Sequence, residues 1–342
     1  MELLGLLRFS PPLRENKVLE VCSFLLPLLY LVTFLYCCVW HGPLVGFFSV
    51  LIMIVISGGP LAFMVVPTPT YLNPFPSGVV FGVILLLWVT YIFKLFGYFP
   101  AIHWLELVLS LCGSPVVVFL FFKTMLMDPG YITNVVEDVR LEVENGMREG
   151  DFCSVCLVHR PLRAKHCFYC RRCVARFDHH CPWMFTCIAN NNAHYFVVFL
   201  AAALVHHIHF IATDFIFLRN IFMAPGTTLG AFLVGLGDLY QAEPLLFLCM
   251  CVSLPIALGE VMILQGQLLS VGAALTPRET FAPHRYSYLV QDGAIHNRIS
   301  RGVVWNFLEF FHVVTPRLNW FRIYKEEDLH LSGSLDAVTK IV

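Results

Sequence analysis

Six stretches of this chain are each long and apolar enough to cross a lipid bilayer: residues 18–40, 44–66, 78–98, 101–125, 194–218 and 243–269. A transmembrane helix needs about 20 mostly apolar residues. The first stretch begins VLEVCSFLLPLLYLVTFLYCCVW. Runs of this kind lack the polar face that a surface helix of a soluble domain carries. Only 13% of the residues are charged, against about 25% in an ordinary soluble domain. Most of the 342 residues must therefore lie in or against lipid. A net charge of −1 gives no electrostatic case for binding nucleic acid. The opening MELLGLLRFSPPLRENK has too short an apolar run for a cleavable signal, and Glu2 stands where positive charge is expected.

Lysine and arginine placement sets the orientation. Arg8, Arg14 and Lys17 precede the first span, and segment 126–193 and the tail after 269 are both basic. The linker 219–242 holds only Arg219. The expected fold is therefore an integral membrane all-α protein. Residues 1–17 form a cytosolic N-terminus and 18–125 hold helices one to four. Residues 126–193 form a cytosolic linker and cysteine-rich domain, 194–269 hold helices five and six, and 270–342 form a cytosolic tail. No internal repeat or low-complexity tract is evident. PTPTYLNPFPS at 67–77 carries four prolines and cannot be helical throughout. DPGY at 128–131 stops the fourth span and turns the chain.

Seven of the 13 cysteines fall in one string, CSVCLVHRPLRAKHCFYCRRCVARFDHHCPWMFTC, from Cys153 to Cys187. The six in the spans read as small hydrophobes. The cytosolic side is reducing, which disfavours disulfides. Paired C-x-x-C with nearby histidine is zinc spacing. Two tetrahedral sites take eight ligands, and the seven cysteines with His159, His166, His179, His180 and His194 offer more. If each site takes three cysteines and one histidine, one thiol is left over. Spacing alone does not say which. Cys181 is favoured because His179 and Asp178 lie within three residues of it. A spare thiol beside a spare histidine is a nucleophile candidate.

CSVC, RPLRAKHC, CRRC and DHHCPW resemble the cysteine-rich domain of the DHHC protein S-acyltransferases, the palmitoyltransferases. DPG at 128–130, TPRE at 276–279 and GVVWNFLEF at 302–310 are similar to further motifs of that family. Six spans and ETFAPHRY at 279–286 resemble its huntingtin-interacting subgroup. The ankyrin repeats of that subgroup are missing, so recruitment of substrates through them is not implied. The resemblance implies two structural zinc ions. One would be held by Cys153, Cys156, His166 and Cys173, the other by Cys167, Cys170, His180 and Cys187. Cys181 would be the acylated nucleophile and acyl-CoA the co-substrate. The sequence departs from the family at Phe185, Thr186 and Ala189, where a tight backbone is at stake, and at Pro277, where a hydroxyl is lost.

The chemistry that follows is a two-step transfer. A free thiol with a pKa of about 8.5 is only a few per cent thiolate at neutral pH. His179 would take its proton, Asp178 would orient His179, and a second thiol on a substrate protein would then resolve the acyl-Cys181 thioester. Suitable substrates carry cysteines near the bilayer. Trp183 suits the membrane interface. Arg163, Lys165 and Arg172, with Arg171 and Arg176, could meet the CoA phosphates; juxtamembrane contact with anionic lipid is the alternative. In HHIH at 206–209, His206 shares a helical face with Phe199, Ala202 and Ala203 and could close an acyl slot. The preferred alternative is that these histidines pair with Asp214 or face luminal water. Glu260, Lys94 and Glu106 should likewise pair or reach an interface. A Golgi or endoplasmic reticulum membrane is expected, with the plasma membrane as the other option. The rival function is a non-catalytic, zinc-stabilised scaffold. A transporter would explain the spans but not the zinc spacing.

Overall fold

The computed structural model describes residues 21–30, 32–33, 74–92, 104–134, 136, 143–144, 151–222, 242–291, 293–325 and 329. Five helices account for the apolar stretches within that set. They are α1 (Val21–Tyr30), α2 (Phe75–Thr90), α3 (Trp104–Leu126), α4 (Ala193–Phe222) and α5 (Pro244–Gly272). The last three fall on the fourth, fifth and sixth stretches marked by hydropathy. Among the described residues, the helical segments 193–217 and 245–272 alone are long and apolar enough to cross a bilayer, with mean hydropathies of 1.9 and 2.2. The second stretch, 44–66, lies outside the described residues. The proline-rich segment 67–77 is described only from Pro74, where α2 starts with proline in its first turn, a position that needs no N–H donor. Helices α3 and α5 run through Pro115 and Pro255, as membrane helices tolerate when neighbours re-satisfy the freed backbone.

Helix α4 packs along both α3 and α5. Phe121 of α3 meets Phe199 of α4 with ring centroids 5.9 Å apart, and Phe81 of α2 stacks on Phe121 at 6.2 Å. Val117, Leu120, Leu200 and Ala203 complete an apolar core that reaches the cysteine-rich domain through Cys181, Met184 and Ile188. Two of the histidines inside the bundle are paired across helices. His206 Nε2 lies 2.9 Å from Ser114 Oγ on α3, and His207 Nδ1 lies 2.7 Å from Glu260 on α5. Pairing was expected, but the partners are not Asp214, whose buried carboxylate meets no hydrogen-bond donor among the described residues.

Between α3 and α4 the chain forms three short antiparallel hairpins. These are β1 (Phe152–Cys153) with β2 (Val158–His159), β3 (Lys165–Cys167) with β4 (Arg172–Val174), and β5 (His179–Cys181) with β6 (Thr186–Ile188). Cys153, Cys167 and Cys181 close the first strands at fourteen-residue intervals. Leu157, Arg171 and Phe185 hold the last loop position, all in the left-handed region with φ of 54°, 49° and 50°. The domain is thus a threefold repeat, which corrects the expectation that the chain has none. It escaped detection because equivalent positions differ in residue type: Cys156, Cys170, Met184 in one and His159, Cys173, Cys187 in another. The repeat lies in spacing and backbone.

The hairpins are clamped at both ends. Asp128 Oδ1 accepts from the N–H of Gly130 and Tyr131, at 2.8 and 2.9 Å, and turns the chain from α3 onto β4. Gly130 has φ +110°, and a Cβ there would press Phe321 at 3.2 Å, so glycine is required twice over. Asn192, fully buried, donates to Cys187 O and Thr124 O and accepts from Ala189 N–H. One side chain thereby joins β6, α3 and the start of α4. After α5 come α6 (Pro277–Phe281), a small hairpin of β7 (Val290–Gln291) with β8 (Ala294–Ile295), and α7 (Val303–Phe310). Asn306 ties α7 to Gly272 O at 2.7 Å.

Candidate active site and metal centres

Two four-residue sets converge within the hairpins: Cys153, Cys156, His166, Cys173, and Cys167, Cys170, His180, Cys187. In each, the ligand atoms all lie within 4.8 Å of one another. The hairpin register produces them, since His166 stands opposite Cys173 and His180 opposite Cys187. Each set takes its C-x-x-C from one hairpin and its histidine and third cysteine from the next. The sulfurs of Cys153, Cys156 and Cys173 stand 3.5, 3.2 and 3.8 Å from His166 Nδ1. Those of Cys167, Cys170 and Cys187 stand 3.7, 3.4 and 3.7 Å from His180 Nδ1. A tetrahedron with metal–sulfur bonds of about 2.3 Å and metal–nitrogen bonds of about 2.0 Å has S···N edges of about 3.5 Å. The donor sets therefore fit a tetrahedral thiolate-loving ion at full coordination, with no position left for water.

Cys181 belongs to neither set. His179 and Cys181 are two apart on β5 and so project to the same side. His179 Nδ1 lies 3.2 Å from Asp178 Oδ2, and the ring also hydrogen-bonds Cys181. Burial alone would oppose the charged imidazolium. The hydrogen bonds and charges of Asp178 and Cys181 outweigh it and raise its pKa to about 10. The ring still keeps 39% of its side-chain surface, whereas Asp178 keeps 7%. Cys181 is buried within the apolar cluster that includes Phe196 and Phe199 of α4 and Val117, Leu120 and Phe121 of α3. The arrangement brings a thiol, an imidazole and a carboxylate together beside the apolar core between α3 and α4.

A profile of the DHHC palmitoyltransferase family matches residues 147–283. Those residues form a DHHC palmitoyltransferase-type domain. It is 29% identical over 208 residues to the palmitoyltransferase AKR1 of Mortierella alpina, an alignment covering 56% of this chain and 36% of that protein. It is 28% identical over 227 residues to the palmitoyltransferase ZDHHC17 of Danio rerio, covering 63% and 36%. Over 92 residues it is 46% identical to the palmitoyltransferase Hip14 of Drosophila melanogaster, covering 25% and 14%. The chain thus spans little more than a third of the length of the first two. DHHC proteins are membrane-associated, in keeping with the apolar helices that flank the domain.

Around the DHHC domain the cations expected at a phosphate have diverse surroundings. Arg163 is buried. It donates through Nε to Glu279 Oε1 at 2.8 Å and through Nη2 to Glu279 Oε2, and it stacks over Trp320 at 4.3 Å. Its place beneath α6 differs from the expected phosphate-facing one. The cause is Glu279, whose carboxylate already occupies the guanidinium fork. Lys165 stands over Tyr286 at 4.9 Å and Arg172 over Tyr131 at 5.0 Å, both half-buried. Trp183 is exposed at the tip of the third hairpin.

The sequence departures are absorbed. Ala189 is buried and does not take the left-handed backbone that would demand glycine. Pro277 opens α6 within a capping box: Thr276 Oγ1 accepts from Glu279 N–H, and Glu279 Oε2 accepts from Thr276 N–H. Phe185 does carry strain, being a bulky residue in the left-handed region. Gln267 was missed. Its Nε2 donates to Asp178 Oδ2 at 3.1 Å. A pair of carboxamides, Gln265 and Gln267, near the C-terminal end of an apolar span was the available signal.

Proposed function

We propose that the protein is a protein-cysteine S-acyltransferase that moves a long-chain acyl group, typically palmitoyl, from acyl-CoA to Cys181 and then to cysteines of substrate proteins. The observation that carries this reading is the position of Cys181. It stands outside two complete four-ligand sets, beside the His179–Asp178 pair, with its sulfur on the seam between α3 and α4. The two sets would hold structural zinc, whose part is to fix β5 and its neighbours. With Nδ1 engaged by Asp178, Nε2 is the ring nitrogen left to exchange a proton with the thiol.

In the first step the proton of the Cys181–His179 pair rests on the imidazole, as the raised His179 pKa favours, and the Cys181 sulfur attacks the thioester carbonyl. The bond from the carbonyl carbon to the CoA sulfur breaks, and CoA leaves as the thiol with that proton. In the second, a substrate thiol gives its proton to His179, attacks the acyl-Cys181 carbonyl and releases the Cys181 thiol. One thioester replaces another in each step, so neither is steeply uphill. The acyl chain would lie along Phe199, Ala202 and Ala203, with the His206–Ser114 hydrogen bond closing the far end. Each methylene buried there contributes about 0.8 kcal/mol. Lys165 and Arg172 would face the CoA phosphates and Trp183 the membrane interface. Six spans, with both termini and the DHHC domain cytosolic, give the site access to acyl-CoA. The substrates are proteins with cysteines close to a Golgi or endoplasmic reticulum membrane.

The test compares Cys181→Ser with Cys187→Ser. The first should keep two zinc per chain and the parent's thermal unfolding but take up no hydroxylamine-sensitive acyl group. The second should lose metal and stability, with labelling lost as a consequence. Transfer at the parent rate by Cys181→Ser overturns the mechanism. A folded, zinc-loaded parent that takes up no acyl group, with substrate proteins supplied, favours the scaffold.

A further inference from the structure

We infer that Gln267 is a positioning residue for acyl transfer: its carboxamide pins Asp178, and through Asp178 it sets the direction of His179. The inference rests on the transferase reading above. Asp178 Oδ2 receives two donors, His179 Nδ1 at 3.2 Å and Gln267 Nε2 at 3.1 Å. They come from separate parts of the chain, one from β5 and one from α5, 89 positions away. Both Asp178 and Gln267 are buried, at 5% and 6% exposure. A carboxylate only accepts, so the nitrogen end of the Gln267 amide must face it.

Two physical consequences follow. The Asp178 backbone is fixed by its own N–H, which donates to Ile188 O at 3.1 Å. Its side chain is not, because the terminal torsion of aspartate is broad and nearly twofold. A second donor on Oδ2 holds that oxygen toward the imidazole and removes the freedom. The choice of donor also matters. A buried carboxylate is costly unless hydrogen-bonded. A lysine or arginine in the place of Gln267 would satisfy it by cancelling its charge. A neutral amide satisfies it and leaves the negative charge to act on His179.

The helix supplies the registration. Leu264, one turn before Gln267, packs against the apolar core that includes Cys181. Val271, one turn after, packs against Val197 and Phe310. Residues 264, 267 and 271 share one face of α5, so the position of the last span against the DHHC domain is what presents the amide to the acid.

The experiment uses the full chain in detergent with palmitoyl-CoA and four proteins: parent, Gln267→Met, Asp178→Asn and the double variant. Methionine keeps the length and removes the donor. Gln267→Met should lower the self-acylation rate at saturating palmitoyl-CoA about tenfold, equivalent to about 1.4 kcal/mol. KM, zinc content and Tm should match the parent. In the Asp178→Asn background Gln267→Met should cause no further loss, because its effect passes through that acid. If methionine lowers zinc content or Tm, Gln267→Asn replaces it; one methylene shorter, it withdraws the donor from Asp178 while keeping the amide. A Gln267 variant as fast as the parent overturns the inference. So does a loss that multiplies independently of Asp178. Failure of the transferase reading looks different: the parent itself would form no thioester at Cys181.

Discussion

His179 and His180 are chain neighbours with the same side chain, yet β5 turns them to opposite sides. His180 Nδ1 joins three sulfurs, while His179 Nδ1 joins Asp178. Ligand counting from the sequence left one thiol over, but the arithmetic could not choose it. The choice depends on strand register, a contact between residues seven apart that cysteine spacing does not encode. His179→Ala should slow self-acylation by about 10²–10⁴-fold, the usual range for a positioned general base, with zinc content unchanged. His180→Ala should lose zinc and stability. Metal analysis beside labelling of the two variants checks the assignment, and a reversed pattern exchanges the two histidines. Gln267 was less legible still. Nothing near it in the chain points to Asp178, and only the packing of α5 against the hairpins brings the two together.

At the scale of elements, α6 is docked by one carboxylate. Glu279 caps its own helix through Thr276, pairs with Arg163 and accepts from Tyr288 OH at 2.6 Å. The capping box is a local pattern in T-P-R-E, a segment marked in the sequence only for its resemblance to a family motif. The ion pair was not legible, since Arg163 and Glu279 are 116 positions apart, and Arg163 read instead as a free cation. Burial alone would raise the Glu279 pKa. The Arg163 charge and hydrogen bonds, with those from Tyr288 and the Thr276 N–H, hold it at about 2 instead of the ordinary 4.5. A depressed folded-state value stabilises the fold in full above pH 4.5. That stabilisation is lost as the pH falls from there toward 2. The share of stability that this carboxylate supplies, read as the difference in unfolding temperature between the parent and Glu279→Gln, should accordingly begin to shrink only below pH 4.5. Glu279→Gln leaves Arg163 buried without its counter-charge and should cost about 3–5 kcal/mol at neutral pH, with a flatter acid limb. A parent-like unfolding temperature for this variant would mean that the pair does not hold the tail.

Across the whole molecule, hydropathy located α3, α4 and α5 to within a few residues, because lipid imposes both length and composition on a span. What it could not give was the way the hairpins are knitted to the spans through Asn192, Gly130 and Gln267, since those contacts depend on shape and reach. The expected topology has a direct test. Engineered glycosylation acceptors should be modified within 219–242 and remain unmodified within 131–150. Modification in the second region would put the DHHC domain on the side without acyl-CoA. The three hairpins also behave as links of a chain, each closing its clasp on the next. A finite chain has a last link, and its clasp has nothing to grip. Cys181 occupies the position that belongs to a four-ligand set in the first two links, and Met184 fills the place of its missing partner. The reactive sulfur thus needs no separately invented device. It is the open end group left wherever a series of shared metal clasps stops.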